Sequence, residues 1–86
     1  MQINNGGFIM KSYNGHRSWN TWNVSLWLNN DESLYRLCMD CLDSANSLNH
    51  AVNLVYYHLG NGFEKTPDGA TYNRLSIKLA LEGMAE

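Results

Sequence analysis

Eighty-six residues are the length of one domain, and a chain this short buries only about 60–65 % of its unfolded surface. The formal charge is −2, and the six cations (Lys11, Arg17, Arg36, Lys65, Arg74 and Lys78) form no run, which argues against non-specific nucleic-acid binding. The N-terminus lacks a basic region followed by an apolar one, and no apolar run approaches the roughly 20 residues of a membrane span, so a soluble cytoplasmic protein is expected.

Met1 to Gly7 is polar and carries glycines, and residues 1–12 read as a flexible N-terminal arm before a single helical domain over 13–86. Within the arm, Phe8-Ile9-Met10 suits a short strand or an apolar tuck against the core, and Met10 is a second candidate start. Asn14-Gly15 is a turn signal, and His16 and Arg17 lead into the first helix.

That helix holds all three tryptophans within nine residues, Trp19 to Trp27. Trp19, Trp22, Asn23 and Leu26 fall at i, i+3, i+4 and i+7, and Val24, Trp27 and Leu28 form a second apolar face. A helix so apolar around its circumference is expected near the middle of the domain, covered on more than one side. Ser18 is the expected N-cap, with Asn20 as the alternative. Asn20 and Asn23 are expected to face solvent or cap neighbours; the functional alternative is a polar recognition surface shared with the indole N–H groups.

Asn29-Asn30-Asp31-Glu32 reads as a helix stop followed at once by a helix start. The second helix is predicted over Glu32–Ser44, burying Leu34, Cys38, Cys41, Leu42 and Ala45. Ser47 caps a third, from Leu48 to Leu59, with Ala51, Val52 and Val55 inward and Tyr56 and Tyr57 beside them, and Gly60 ends it. In the loop that follows, Phe63 is expected to pin the chain to the core and Thr66-Pro67-Asp68-Gly69 to form a tight turn. A weakly helical segment then precedes a last helix, capped by Ser76 or Thr71, ending near Met84 and burying Leu75, Leu79 and Leu81. The predicted fold is all-α: a compact bundle of three to four helices around the tryptophan-rich one.

Little here suggests catalysis. Cys38-Met39-Asp40-Cys41 is a CxxC, but it sits inside a predicted helix with no strand before it and lacks two further ligands at zinc spacing, so two reduced core cysteines are expected. His50 and His58 are eight apart rather than four, and no nucleophile–base pair or phosphate loop is present. No enzyme activity, metal or cofactor is expected. For a small core, pairing into a homodimer is a further source of buried surface.

Tyr13-Asn14-Gly15-His16-Arg17, Thr21-Trp22-Asn23-Val24-Ser25-Leu26-Trp27-Leu28 and Asn30-Asp31-Glu32-Ser33-Leu34-Tyr35 resemble a family of small phage and plasmid proteins of unknown function. Lys65-Thr66-Pro67-Asp68-Gly69 is similar to that family's second, weaker block, and the resemblance spans about residues 11–82, the last helix matching poorly. It brings no catalytic residue with it. It implies an accessory protein of a mobile element.

The function expected is therefore non-enzymatic binding and inhibition of a host protein or nucleoprotein defence complex, of the anti-CRISPR or anti-restriction type. The alternative is a small nucleic-acid-binding regulator using His16, Arg17 and the tryptophans. The residues expected to meet a partner are Asp31, Glu32, Asp40 and Asp43 as charge, and His16, Arg17 and Tyr57 as anchors.

Overall fold

The computed structural model describes residues 18–85. The predicted arm over 1–12, the Phe8–Met10 segment, the Asn14-Gly15 turn, His16 and Arg17 lie outside the described residues. Four helices follow in order: α1 (Trp19–Asn30), α2 (Glu32–Ser44), α3 (Leu48–His58) and α4 (Arg74–Ala85). Each packs on its neighbour in sequence, α4 closes the ring onto α1, and α2 approaches α4 across it; α1 and α3 are not packed together. Among the described residues there is no strand, only an isolated antiparallel bridge between Lys65 and Thr71.

Local capping chemistry sets the breaks. Ser18 caps α1 in a capping box with Thr21, each side chain meeting the other's backbone N–H. Asp31 ends α1 and begins α2: its backbone N–H donates to the Trp27 carbonyl, and its carboxylate accepts the Leu34 N–H at 3.0 Å. Ser47 caps α3 by accepting the His50 N–H, and the His50 Nδ1 in turn accepts the Asn46 N–H at 3.0 Å. Past α3, Gly60, Asn61 and Gly62 all take positive φ. Gly62, at φ +91°, takes a conformation that side-chain-bearing residues rarely adopt, and a Cβ there would also press on the Tyr56 hydroxyl at 2.8 Å.

The core consists of Val24 and Leu28 from α1, Cys38 and Cys41 from α2, Ala51, Val52, Val55 and Leu59 from α3 and its end, and Ile77, Ala80 and Leu81 from α4. Ala70 and Tyr72, from the connection into α4, join them. The cysteines are free thiols, buried as expected. Burial, with the neighbouring Cys41 thiolate as a second cause, pushes the Cys38 thiol up to about 12.

Several expectations need correction. Of the stripe Trp19, Trp22, Asn23 and Leu26, only Asn23 is buried, with Trp19 and Leu26 exposed and Trp22 half-buried; Val24 and Leu28 of the second apolar face point inward, together with Thr21. Phe63 does not pin the loop: it follows the left-handed stretch at 60–62 and is 89 % exposed. The segment before α4 is not helical, and Thr71 within it bridges to Lys65. Asn73 starts α4, its side chain accepting the Ser76 N–H, so Ser76 is a buried residue of the first turn and neither it nor Thr71 is the cap. Leu75 consequently points outward, and Ile77 takes the core position.

These assignments predict the response to truncation. Leu28→Ala is expected to lower the unfolding free energy by about 2–5 kcal/mol, and Phe63→Ala by no more than about 0.5 kcal/mol, in urea titrations followed by circular dichroism.

Candidate interaction surface

Three residues of α1 reach across the bundle to the connection before α4. Asn20, Asn23 and Trp27 fall at i, i+3 and i+7, so they share one stripe, a single residue displaced from the one the tryptophans mark. Asn20 treats Thr71 as a strand neighbour would: its Oδ1 accepts the Thr71 N–H at 2.8 Å, and its Nδ2 donates to the Thr71 carbonyl and to the buried Ser76 hydroxyl, both at 2.9 Å. Asn23, almost fully buried, accepts from the Thr66 hydroxyl at 2.6 Å and donates to the Asp68 carboxylate at 2.9 Å. The Trp27 indole N–H donates to the same Asp68 oxygen at 2.9 Å.

The loop is shaped to receive these groups. Gly69 N–H donates to the Thr66 carbonyl at 2.8 Å, closing the predicted turn, with Gly69 at positive φ. Thr66 Oγ1 also accepts the Ala70 N–H, so this one hydroxyl joins the turn to Asn23. Donation by Asn23, and then by Trp27, holds the Asp68 carboxyl below the usual aspartate range. Asn20 and Asn23 therefore neither face solvent nor cap neighbours. Their side chains are taken up by a network within the fold.

The outer face of α2 has a different character. Glu32, Arg36, Asp40 and Asp43 follow at steps of four, four and three residues, which places them on one helical face. Tyr35 and Met39, 40 % and 37 % exposed, run beside that face. Glu32 pairs with Arg36, both side chains largely in solvent, so the pair contributes little to stability. Asp40 and Asp43 are exposed and have no cationic partner among the described residues.

The remaining predicted contact residues are dispersed. Asp31 is half-buried as the cap of α2, its carboxylate occupied by the Leu34 N–H. Tyr57 is on α3, 65 % exposed, its ring edge-on to His58 at 5.7 Å between centroids. His16 and Arg17 lie outside the described residues. The structure thus brings Glu32, Asp40 and Asp43 onto one face together with Tyr35 and Met39, which sequence reasoning did not single out for contact. Their i, i+4 spacing beside the acidic residues is a signal that would have found them.

Among the described residues no group of three histidine, cysteine, aspartate or glutamate side chains is placed to hold a metal ion. No described helix is long and apolar enough to cross a membrane. A family model described as a family of unknown function (DUF7249) matches residues 9–86, so the chain belongs to that family. No curated protein and no solved structure matches it.

The α1–loop network has a pH signature. A carboxyl whose folded pKa is depressed contributes stability that is present above its unfolded pKa and lost as pH falls through the folded one. Unfolding free energy is expected to fall as pH drops below about 4, with a matching shift of the Trp27 indole proton in NMR spectra. Asp68→Asn should remove that part of the titration. Asn23→Ala, which strands the Thr66 hydroxyl, is expected to cost about 1–3 kcal/mol at neutral pH in the same urea assay.

Proposed function

Starting from membership of a family with no assigned activity, we propose that this chain is a non-enzymatic binding protein whose contact surface is the outer face of α2. The observation that carries the reading is the combination on that face of two exposed carboxylates, Asp40 and Asp43, with no cationic partner among the described residues, and two exposed large side chains, Tyr35 and Met39. Interfaces of this kind use aromatic and methionine side chains for contact energy, and charge for steering and partner choice. A basic surface is the natural complement, such as a protein whose own ligand is nucleic acid.

The resemblance to small phage and plasmid proteins extends this to a specific role. The protein is a mobile-element accessory factor that occupies a host defence complex of the CRISPR or restriction kind and blocks it. Small size, acidic balance and the carboxylate face all suit a competitor for a nucleic-acid-binding groove.

The test is capture of tagged protein from host lysate, with and without nuclease, alongside an Asp40→Lys/Asp43→Lys variant. Both positions are exposed, so the variant is expected to fold with stability within about 0.5 kcal/mol of the parent. A nuclease-resistant host complex that the parent retains and the variant loses is the expected result. Capture that vanishes with nuclease would replace this reading with direct nucleic-acid binding. Capture that the variant retains in full would remove α2 from the interface.

A further inference from the structure

A second surface, remote in charge from the α2 face, lies where α3 meets α4. Asn49, Val52 and Asn53 of α3 and Arg74, Leu75 and Lys78 of α4 line an open cleft of about 340 Å³. Asn49 and Asn53 are one turn apart on one wall, and Arg74 and Lys78 are one turn apart on the other. Val52, buried, forms the floor, and Leu75, 43 % exposed, adds an apolar wall.

Arg74 is already held in place. Its guanidinium carbon stands 4.1 Å from the Tyr56 ring centroid, and its Nε donates to the Asn53 Oδ1 at 3.1 Å. Stacking on the ring and one fixed bond remove much of the rotamer freedom that a ligand would otherwise have to freeze. The two terminal nitrogens make no hydrogen bond to a described residue, and neither Arg74 nor Lys78 has a carboxylate partner among the described residues. Two cations one turn apart on one wall, beside an apolar floor and facing two amides, give the cleft a positive and directional lining.

We propose that this cleft binds an acidic segment of a partner protein: an apolar side chain seated on Val52 and Leu75, flanked by carboxylates that meet Arg74 and Lys78. The planar fork of an arginine matches a carboxylate through two parallel N–H···O bonds. The amides of Asn49 and Asn53 can donate to and accept from the segment's backbone. A phosphate backbone is a poorer occupant, because two cations neutralise too few charges and an apolar floor adds nothing to a phosphate. The site is separate from the α2 face and does not depend on the function proposed for it.

The experiment uses the purified full chain and three fluorescein-labelled pentapeptides: Asp-Glu-Leu-Glu-Asp, the same with alanine for leucine, and Lys-Lys-Leu-Lys-Lys. Anisotropy at low ionic strength is expected to report binding of the first, severalfold weaker binding of the second and none of the third. Arg74→Ala and Lys78→Ala should each weaken the first peptide about tenfold, the scale of one charge-assisted hydrogen bond. Lys65→Ala, an exposed cation outside both surfaces, should leave binding unchanged, and circular dichroism confirms that each variant is folded. The proposal is overturned if no peptide binds, if the leucine and alanine peptides bind alike, or if the Arg74→Ala/Lys78→Ala double variant binds like the parent. Displacement of the peptide by inorganic phosphate at equal ionic strength, or tighter binding of an oligothymidylate, would make this a phosphate site and equally overturn it. Self-association that the peptide abolishes would identify the segment as α2 of a second copy, and so overturn a foreign partner.

Discussion

The fold depends on one amide. Asn23 sits inside the bundle with both ends of its side chain engaged, its oxygen by the Thr66 hydroxyl and its nitrogen by the Asp68 carboxylate. A buried amide is tolerated only when it is satisfied, since an unsatisfied one costs about 1–3 kcal/mol. Asn23 therefore specifies where the 66–69 turn must lie. With Asn20 holding Thr71 and Ser76, the whole approach to α4 is registered against α1. Apolar packing alone, between Val24 and Leu28 on one side and Ile77 and Leu81 on the other, would permit neighbouring registers; directional bonds do not.

That constraint also explains which surfaces remain free. Once one side of α1 is committed to the loop and to α4, its Trp19–Leu26 side is left outside, and α2 needs only its cysteine side for the core. Among the described residues nothing covers the polar face of α2. At the opposite corner, the start of α4 at Asn73 sets Arg74 against Asn53 and Tyr56 and so shapes the α3–α4 cleft. The two candidate interaction surfaces are consequences of where the helices are anchored, and they carry opposite charge.

What the sequence revealed divides along the range of the forces involved. The breaks at Asp31 and Ser47 are local, a side-chain oxygen meeting a backbone N–H three residues on, and so α2 and α3 were readable to within a residue. The turn at 66–69 was readable for the same reason. The inward side of α1 was legible only as one of two apolar faces, the one with Val24 and Leu28, because apolar residues are spread around the helix and the choice is made by partners more than 40 residues away. The start of α4 was missed by a few residues: Thr71, Asn73 and Ser76 are all competent caps, and only the long-range hold of Asn20 on Thr71 and Ser76 decides among them. The acidic side of α2 was legible from spacing, whereas the α3–α4 cleft exists only once two helices distant in the chain are brought together.

The bonds between α1 and the 66–76 segment join residues 41 to 56 positions apart. During synthesis, then, α1 leaves the ribosome with its inward amides unanswered. At about 5–20 residues per second, some 2–9 s pass before the Thr66 region is made. The first three helices can pair as they emerge, since their contacts are near in sequence, but this partial bundle shows water the side of α1 that holds Asn20, Asn23 and Val24. Completion waits for the last quarter of the chain. A ribosome that stalls after Gly60 would release a product with regular helices and an open flank, the kind of species that quality-control proteases recognise.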